Sequence, residues 1–371
     1  MKKVQMVLLG GFLGAGKTTT MIQMANVLQE QGKQVAIITN DQGKELIDTE
    51  LAQTSGLETK EVTGGCFCCR FEDLYEHLNQ LAMDKKPDYI ICEAVGSCTD
   101  LAATVIQPLK QYYANEFTTV PLTIVVDPAR LLAELNEEEG GKLLFSQSVS
   151  YIFEKQLAEA DIIAVNKLDQ YTEEEMDRVV TYLQQRYPNS FIQPISATAG
   201  IHLNTLLDLW NSTVPSGHKL LDIDYSVYAE GEAKLAWMNV LGDVRHPDGK
   251  TFNPQQWVNG LLSKLNGHFM REKMAVAHLK VHAGNETGYV KASVVQTGAQ
   301  PVYTNRYSHK GNQYRVVLNI RIEASPGLLD LVVSDAIASM DQELGTVWEQ
   351  TYHECFSPLP PQPTHRMKVT T

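Results

Sequence analysis

Of 371 residues, 43% are hydrophobic, and 44 acidic against 31 basic side chains leave a formal charge of −13. That length predicts about two domains, each able to enclose a proper core. The acidic balance argues against nucleic acid or an anionic membrane as partner, and no run approaches the roughly eighteen apolar residues needed to span a bilayer.

Residues 3–9 read as a short buried strand (Val4, Met6, Val7, Leu8, Leu9), and residues 18–31 as a helix with Ile22, Ala25, Val27 and Leu28 at apolar spacing. Lys2, Lys3 and the apolar residues up to Leu13 faintly mimic a secretion signal. A charged, ordered sequence follows at once, so the chain is expected in the cytoplasm. Between strand and helix, Gly11-Phe12-Leu13-Gly14-Ala15-Gly16-Lys17-Thr18 fills the pattern G-x-x-x-x-G-K-[ST]. A glycine loop there lets consecutive backbone N–H groups wrap a phosphate chain in front of a helix N-terminus. Lys17 would reach the terminal phosphates and the Thr18 hydroxyl would ligate Mg²⁺. Gly11, Gly14, Ala15, Gly16 and Thr19 complete the predicted cradle. A chance Gly-rich turn would lack this context. The chain is expected to bind a nucleoside triphosphate.

Residues 35–39 form a second predicted strand. Three of the six cysteines then fall within four residues, as Cys66, Cys68 and Cys69 after Gly64-Gly65. Thiolates at that density bind soft or borderline cations such as Zn²⁺, Cu(I), Co²⁺ or Ni²⁺. In an extended segment Cys66 and Cys68 point one way and Cys69 the other. All three meet one ion only in an irregular loop, which the glycines permit. Three thiolates leave a fourth position for exchange or for a carboxylate. A redox pair and buried small hydrophobes are the alternatives, and a disulfide is at odds with the cytosol. Arg70 could couple these cysteines to a switch, although a surface salt bridge is the simpler reading.

Residues 71–83 read as a helix and residues 88–92 as a buried strand ending in Glu93-Ala94-Val95-Gly96. A carboxylate there can hold Mg²⁺ through water, and the Gly96 N–H can donate to a γ-phosphate. Loss of that bond on hydrolysis would release the segment, which makes it a switch. Alternatively Glu93 merely caps the strand. No glutamine follows Gly96 to orient water; Ser97 and Cys98 stand there instead, and no arginine announces itself as a finger.

Residues 122–126 are a strand ending at Asp127-Pro128, and residues 134–141 an acidic loop. Residues 161–165 are another strand, with Asn166-Lys167-Leu168-Asp169 at its carboxyl end, where open parallel sheets place ligands. The tetrad fits guanine. Asp169 can accept from both N1–H and the exocyclic amine, and adenine would leave a buried carboxylate unpaired. Asn166 would brace the loop while the Lys167 stem lies along the base. Ser196-Ala197-Thr198, after residues 191–195, suits a loop offering N–H groups to the base oxygen. Residues 203–210 close a first domain (1–212), and residues 211–219 read as a linker.

The second domain (220–356) changes character. Residues 224–244 contain a long strand candidate, and residues 254–266 form a helix with Trp257, Leu261, Leu262 and Leu265. Strands are predicted near 275–282, 289–296 and 314–323, then a helix over 327–340 behind Pro326, and a last strand over 347–356. That order is α+β, an antiparallel sheet with helices on one side. His278 and His282 share a strand face with Lys280, read as solvated. The Pro-rich tail (357–371) is expected to be disordered.

The order G-x-x-x-x-G-K-T, C-x-C-C, E-x-x-G, N-K-x-D resembles the CobW-type GTPases, relatives of HypB and UreG that serve metal delivery. The resemblance covers about residues 4–200. It implies a P-loop GTPase domain with a mostly parallel α/β sheet, followed by a smaller α+β domain that is larger here than usual. The family's first switch usually reads Asn-Glu-Phe-Gly. Here it is Asn40-Asp41-Gln42-Gly43, which shortens the carboxylate and with it the reach toward Mg²⁺ or a thiolate-bound metal. The His-rich stretch of many relatives is missing. The implied function is a GTP-hydrolysing metallochaperone, with Lys17, Thr18, Glu93 and Gly96 at the phosphates. It would hand zinc first, or cobalt or nickel, from Cys66, Cys68 and Cys69 to a client metalloprotein. The alternative is a regulatory GTPase acting on a cobalamin- or corrinoid-dependent protein. Hydrolysis is expected to be slow, and stimulated by metal, client or a second copy in a homodimer.

Overall fold

Continuous apolar runs build the first sheet. The computed structural model describes residues 3–41, 57–138 and 145–368. Within it β1 (Val4–Gly10), β2 (Val35–Asp41), β3 (Glu58–Thr63), β4 (Tyr89–Glu93), β5 (Phe117–Thr119), β6 (Thr123–Val126), β7 (Ile162–Val165) and β8 (Phe191–Pro194) pair in parallel throughout. Their order is β3-β2-β4-β1-β6-β7-β8, with β5 also on β1. Every residue of β6 and β7 is buried, as strands covered on both faces require. From β1 the chain moves to one side for β2, β3 and β4 and to the other for β6, β7 and β8. The carboxyl end of β1 is therefore a topological switch point, the crevice where such sheets hold ligands.

Helix Lys17–Glu30 buries Met21, Met24, Ala25 and Leu28 against Val7, Leu9, Ile37 and Ile91. Each of the larger of these side chains contributes about 1.5–3 kcal/mol. Helix Leu203–Trp210 adds Leu206, Leu207 and Trp210 to this core, and the Trp210 indole N–H donates to Thr123 Oγ1 at 2.9 Å. Several elements were not legible beforehand. The edge strand β3 reads Glu-Thr-Lys-Glu-Val-Thr and buries only Val62. Helices Gln147–Glu159 and Glu173–Arg186 were also missed, the latter opened by a capping box between Thr172 and Glu175. The acidic stretch read as a loop over 134–141 is helical through Glu138. Asp127 Oδ1 accepts from the Ala129 N–H at 2.9 Å and starts helix Pro128–Glu138. The remainder of that stretch lies outside the described residues.

The chain forms two compact units. One takes residues 1–44, 48–231 and 360–371, the other residues 45–47 and 232–359. In the second, β9 (Leu235–Arg245), β10 (Ala275–Asn285), β11 (Gly288–Val294), β12 (Val302–Asn305), β13 (Gln313–Glu323) and β14 (Val347–Phe356) form an antiparallel sheet in the order β12-β11-β10-β13-β9-β14. Helices Pro254–Arg271 and Pro326–Leu344 send Trp257, Leu261, Val333 and Ile337 into one core with Met238, Leu279 and Leu318. The predicted α+β arrangement is present. The strand candidate over 224–244 resolves into helix Tyr225–Lys234 followed by β9. His278 and His282 stand on a half-buried face, not the solvated one expected, and burial followed by Lys291 holds the His282 pKa down.

Candidate functional site

The loop after β1 turns on three glycines with left-handed backbone, Gly11 (φ 128°), Gly14 (φ 81°) and Gly16 (φ 94°). Neither end tolerates a side chain. A Cβ on Gly11 would sit 2.1 Å from the Val125 carbonyl oxygen, and one on Gly16 2.4 Å from Asn166 Nδ2. Gly16 ends the loop without a side-chain cap, so the first N–H groups of helix Lys17–Glu30 face the loop. Lys17 Nζ folds back onto the Gly11 oxygen at 2.9 Å. The Thr18 hydroxyl donates to Glu93 Oε1 at 2.9 Å, and a Cβ on Gly96 would lie 3.0 Å from Lys17 Nζ. Lys17, Thr18, Glu93 and Gly96 thus stand together, with Thr19 exposed on the same helical turn. A Glu93 that only capped its strand would not accept from a hydroxyl 75 residues away.

One amide joins two further loops to this one. Asn166 Nδ2 donates to the Ala15 oxygen at 3.0 Å, and its Oδ1 accepts from the Ala197 N–H at 3.0 Å. Lys167, itself left-handed at φ 65°, donates to the Gly14 oxygen at 3.2 Å and pairs with Asp127 at 2.5 Å. The sequence reading passed over Asp127, although its place at the carboxyl end of β6 was the available signal. Asp169 differs from expectation. It is exposed, and Ser196 Oγ holds its Oδ1 at 2.5 Å. The desolvation that would penalise adenine therefore arises only when a base covers it. Arg130, also overlooked, is buried with its guanidinium on the Leu13 oxygen at 3.0 Å and over the Phe12 ring. Burial lowers its pKa to about 10.

On the other flank of the sheet the three cysteines do meet. Gly64 and Gly65, at φ 73° and 158°, lead into a turn in which the Cys69 and Arg70 N–H groups donate to the Cys66 oxygen. The sulfurs lie 2.8 Å (Cys66–Cys68), 3.3 Å (Cys66–Cys69) and 3.8 Å (Cys68–Cys69) apart. Asn40 ties the turn to β2. Its Nδ2 donates to the Val62 and Gly65 oxygens at 2.9 and 2.7 Å, and its Oδ1 accepts from Phe67 N–H at 2.9 Å. The rest of the predicted first switch, the Asp41 side chain with Gln42 and Gly43, lies outside the described residues. Hydrogen bonds from Cys68, then Cys69 and Cys98, hold the Cys66 thiol well below the usual range. Its neighbours move the opposite way: Cys68 is raised, and Cys69 is pushed up to about 11, both first through their bond to Cys66. Arg70 forms the expected salt bridge, to Asp73.

The tail, expected to be disordered, lies along this cluster. The Gln362 N–H donates to Cys69 Sγ at 3.2 Å, and Thr364 donates to the Cys68 oxygen through N–H at 2.8 Å and to the Cys69 oxygen through its hydroxyl at 3.3 Å. Arg366 pairs with the buried Asp100 at 2.6 Å, where Tyr225 also donates at 2.7 Å. Backbone bonds of this kind leave no compositional trace.

The family described as CobW/HypB/UreG, nucleotide-binding domain, matches residues 5–192, just over half of the chain. The zinc chaperone YeiR of Escherichia coli (strain K12) is 30% identical over 181 residues, covering 48% of this chain and 51% of that protein. The zinc chaperone CobW of a Sinorhizobium species is 30% identical over 191 residues, covering 45% and 51%. The chain thus spans about half the length of these curated relatives. Among solved structures, HypB from Helicobacter pylori in complex with nickel is 14% identical at a TM-score of 0.42, covering 58% of this chain and 92% of that one. That likeness is too distant to bear on the site. The P-loop, the Glu93–Thr18 contact, the asparagine-braced tetrad and the cysteine turn all fall inside or directly beside the matched span, and the chain belongs to the CobW/HypB/UreG family.

Proposed function

We propose that the chain is a GTP-hydrolysing metallochaperone that carries a divalent transition ion, zinc first, on Cys66, Cys68 and Cys69 for transfer to a client metalloprotein. The observation that carries this reading is the cysteine turn. Three sulfur ligand atoms lie within 4.8 Å of one another in the same unit as the phosphate and base loops. Soft thiolates select a soft or borderline ion, and the names of the zinc chaperone relatives favour zinc.

In this mechanism Lys17 leaves the Gly11 oxygen for the terminal phosphates, and loop N–H groups hold the remaining phosphate oxygens. Thr18 and Glu93 already face each other; they would hold Mg²⁺, which would neutralise charge on the phosphates. The Gly96 N–H senses the γ-phosphate. Asp169 accepts from guanine N1–H and its amine, with Ser196 orienting the carboxylate and Asn166 fixing base loop to phosphate loop. Among the described residues no glutamine stands directly after Gly96, so turnover is slow until metal, client or a second copy of the chain completes the site.

Elemental analysis of the purified protein, with and without GTP, tests the reading. One divalent ion per chain is expected. It should be lost when Cys66, Cys68 and Cys69 are all changed to Ser, while GTP binding survives. A triple variant that kept stoichiometric metal would leave the regulatory GTPase in its place.

A further inference from the structure

Beyond β4 the chain is gripped by side chains from a distant helix. The Ala94 N–H still donates to the Leu9 oxygen at 2.9 Å, and the Cys98 N–H closes a tight turn on the Val95 oxygen at 3.0 Å. Gln156, fully buried on helix Gln147–Glu159, donates from one Nε2 to the Gly96 oxygen at 3.0 Å and to the Cys98 oxygen at 2.8 Å. Both partners are carbonyls, so the amide can face them only with its nitrogen. Three residues on, Glu159 accepts from the Thr99 hydroxyl at 3.1 Å and from the Ala102 N–H at 2.9 Å.

The same helix reaches the phosphate loop. Phe153, three residues before Gln156 and on the same face, meets the Phe12 ring edge-on with centroids 5.9 Å apart. Gly96 lies against that loop as well: a Cβ there would sit 2.7 Å from Leu13 Cδ2 and 3.0 Å from Lys17 Nζ.

We propose that Gln156 is a positioning residue for the γ-phosphate switch, acting through Gly96. This rests on the nucleotide reading above and deepens it. The Cys98 N–H fixes the Val95–Gly96 peptide from one side, and Gln156 fixes the Gly96–Ser97 peptide from the other. The Gly96 N–H is therefore set in place before a phosphate arrives, and little reorganisation opposes its bond to the γ-phosphate. The grip is also incomplete. Gln156 Oε1 and the Ser97 hydroxyl, which lies between the two held carbonyls, are buried with no hydrogen-bond partner among the described residues. Each unpaired group lowers the cost of leaving this conformation, which suits a segment that shifts when the γ-phosphate is lost.

Equilibrium titration with GDP and with the non-hydrolysable GTP analogue GMPPNP reads this role, because only the analogue carries a γ-phosphate. Gln156→Leu removes both donated bonds at similar volume. It should weaken GMPPNP relative to GDP about tenfold, the worth of one charge-assisted hydrogen bond, and lower kcat for GTP by a similar factor. GDP affinity should stay within about twofold, since GDP makes no bond to the Gly96 N–H. Equal losses for the two nucleotides, or an unchanged ratio, would make Gln156 a core residue with no part in the switch. Melting temperature controls for folding. Gln156→Asn keeps the amide but is a methylene too short to hold both carbonyls; it should move the ratio the same way, and it replaces the leucine variant if that one does not fold. A parent protein that bound neither nucleotide would remove the nucleotide reading itself, and the inference with it.

Discussion

The two flanks of the first sheet solve different problems at the same carboxyl edge. Beyond β1, β6, β7 and β8 the nucleotide groups are polar and partly open. Asp169 and Thr19 are exposed, and the loops are joined through single hydrogen bonds from Asn166 and Lys167. Beyond β3 and β4 the sulfurs are enclosed: Cys66 and Cys68 are 5% and 2% exposed, Cys98 is fully buried, and the tail lies along Cys69. Under the proposed function a nucleotide would enter and leave within each cycle, which an open side allows. Under the same reading a soft ion would be held against competing thiols, which an enclosed side favours. β4, between β2 and β1, ends at Glu93 on Thr18.

Three substitutions would break or sharpen that contrast. The largest effect is expected at Lys17. Removing its charge from the phosphate loop (Lys17→Ala) should cost two to three orders of magnitude in GTP turnover, about 3–4 kcal/mol, with metal stoichiometry unchanged. Turnover at the parent rate would mean that hydrolysis occurs elsewhere. Next comes Arg366→Ala on the closed side. It strips the buried Asp100 of its cation, Tyr225 remaining, and should lower unfolding free energy by about 2 kcal/mol in chemical denaturation. The same change should speed alkylation of Cys69 several-fold, read by mass spectrometry; equal rates would show that the tail gives no protection. The smallest is Asp169→Asn, which turns one acceptor into a donor. It should erase a preference for GTP over ATP of about tenfold, roughly 1.4 kcal/mol, and favour xanthine nucleotides. A parent protein binding ATP and GTP equally well would end the guanine assignment.

The open side was largely legible in the sequence because each of its parts is contiguous. Gly11 to Thr18 and Asn166 to Asp169 announce themselves by letters in fixed spacing between a strand and a helix, and the structure adds only their mutual contacts. Even there Asp127 escaped notice, since one aspartate before a proline is also an ordinary helix start. The closed side was half legible. Cys66, Cys68 and Cys69 stand in one run, but the segment lying along them comes 293 residues after Cys69, at Gln362. Thr364 acts from further still, and a Pro-rich segment carries no apolar period from which its docking could be read. β3 was hidden for a related reason: an edge strand that buries one valine lacks the pattern by which strands are recognised.

Because residues 360–368 pack with the first unit, residues 232–359 are an inset and not an appendage. The chain leaves that unit after Gly231 and returns to it through Thr364 and Arg366. Limited proteolysis should therefore give an unusual outcome: a single nick anywhere within the inset leaves both products attached to the first unit, one through the peptide chain and the other through the tail's hydrogen bonds and ion pair. Fragments that separate under denaturing electrophoresis would travel as one particle in a native gel. A shortened chain ending at residue 212 would not be the first unit at all, since it would lack the segment that lies along Cys69.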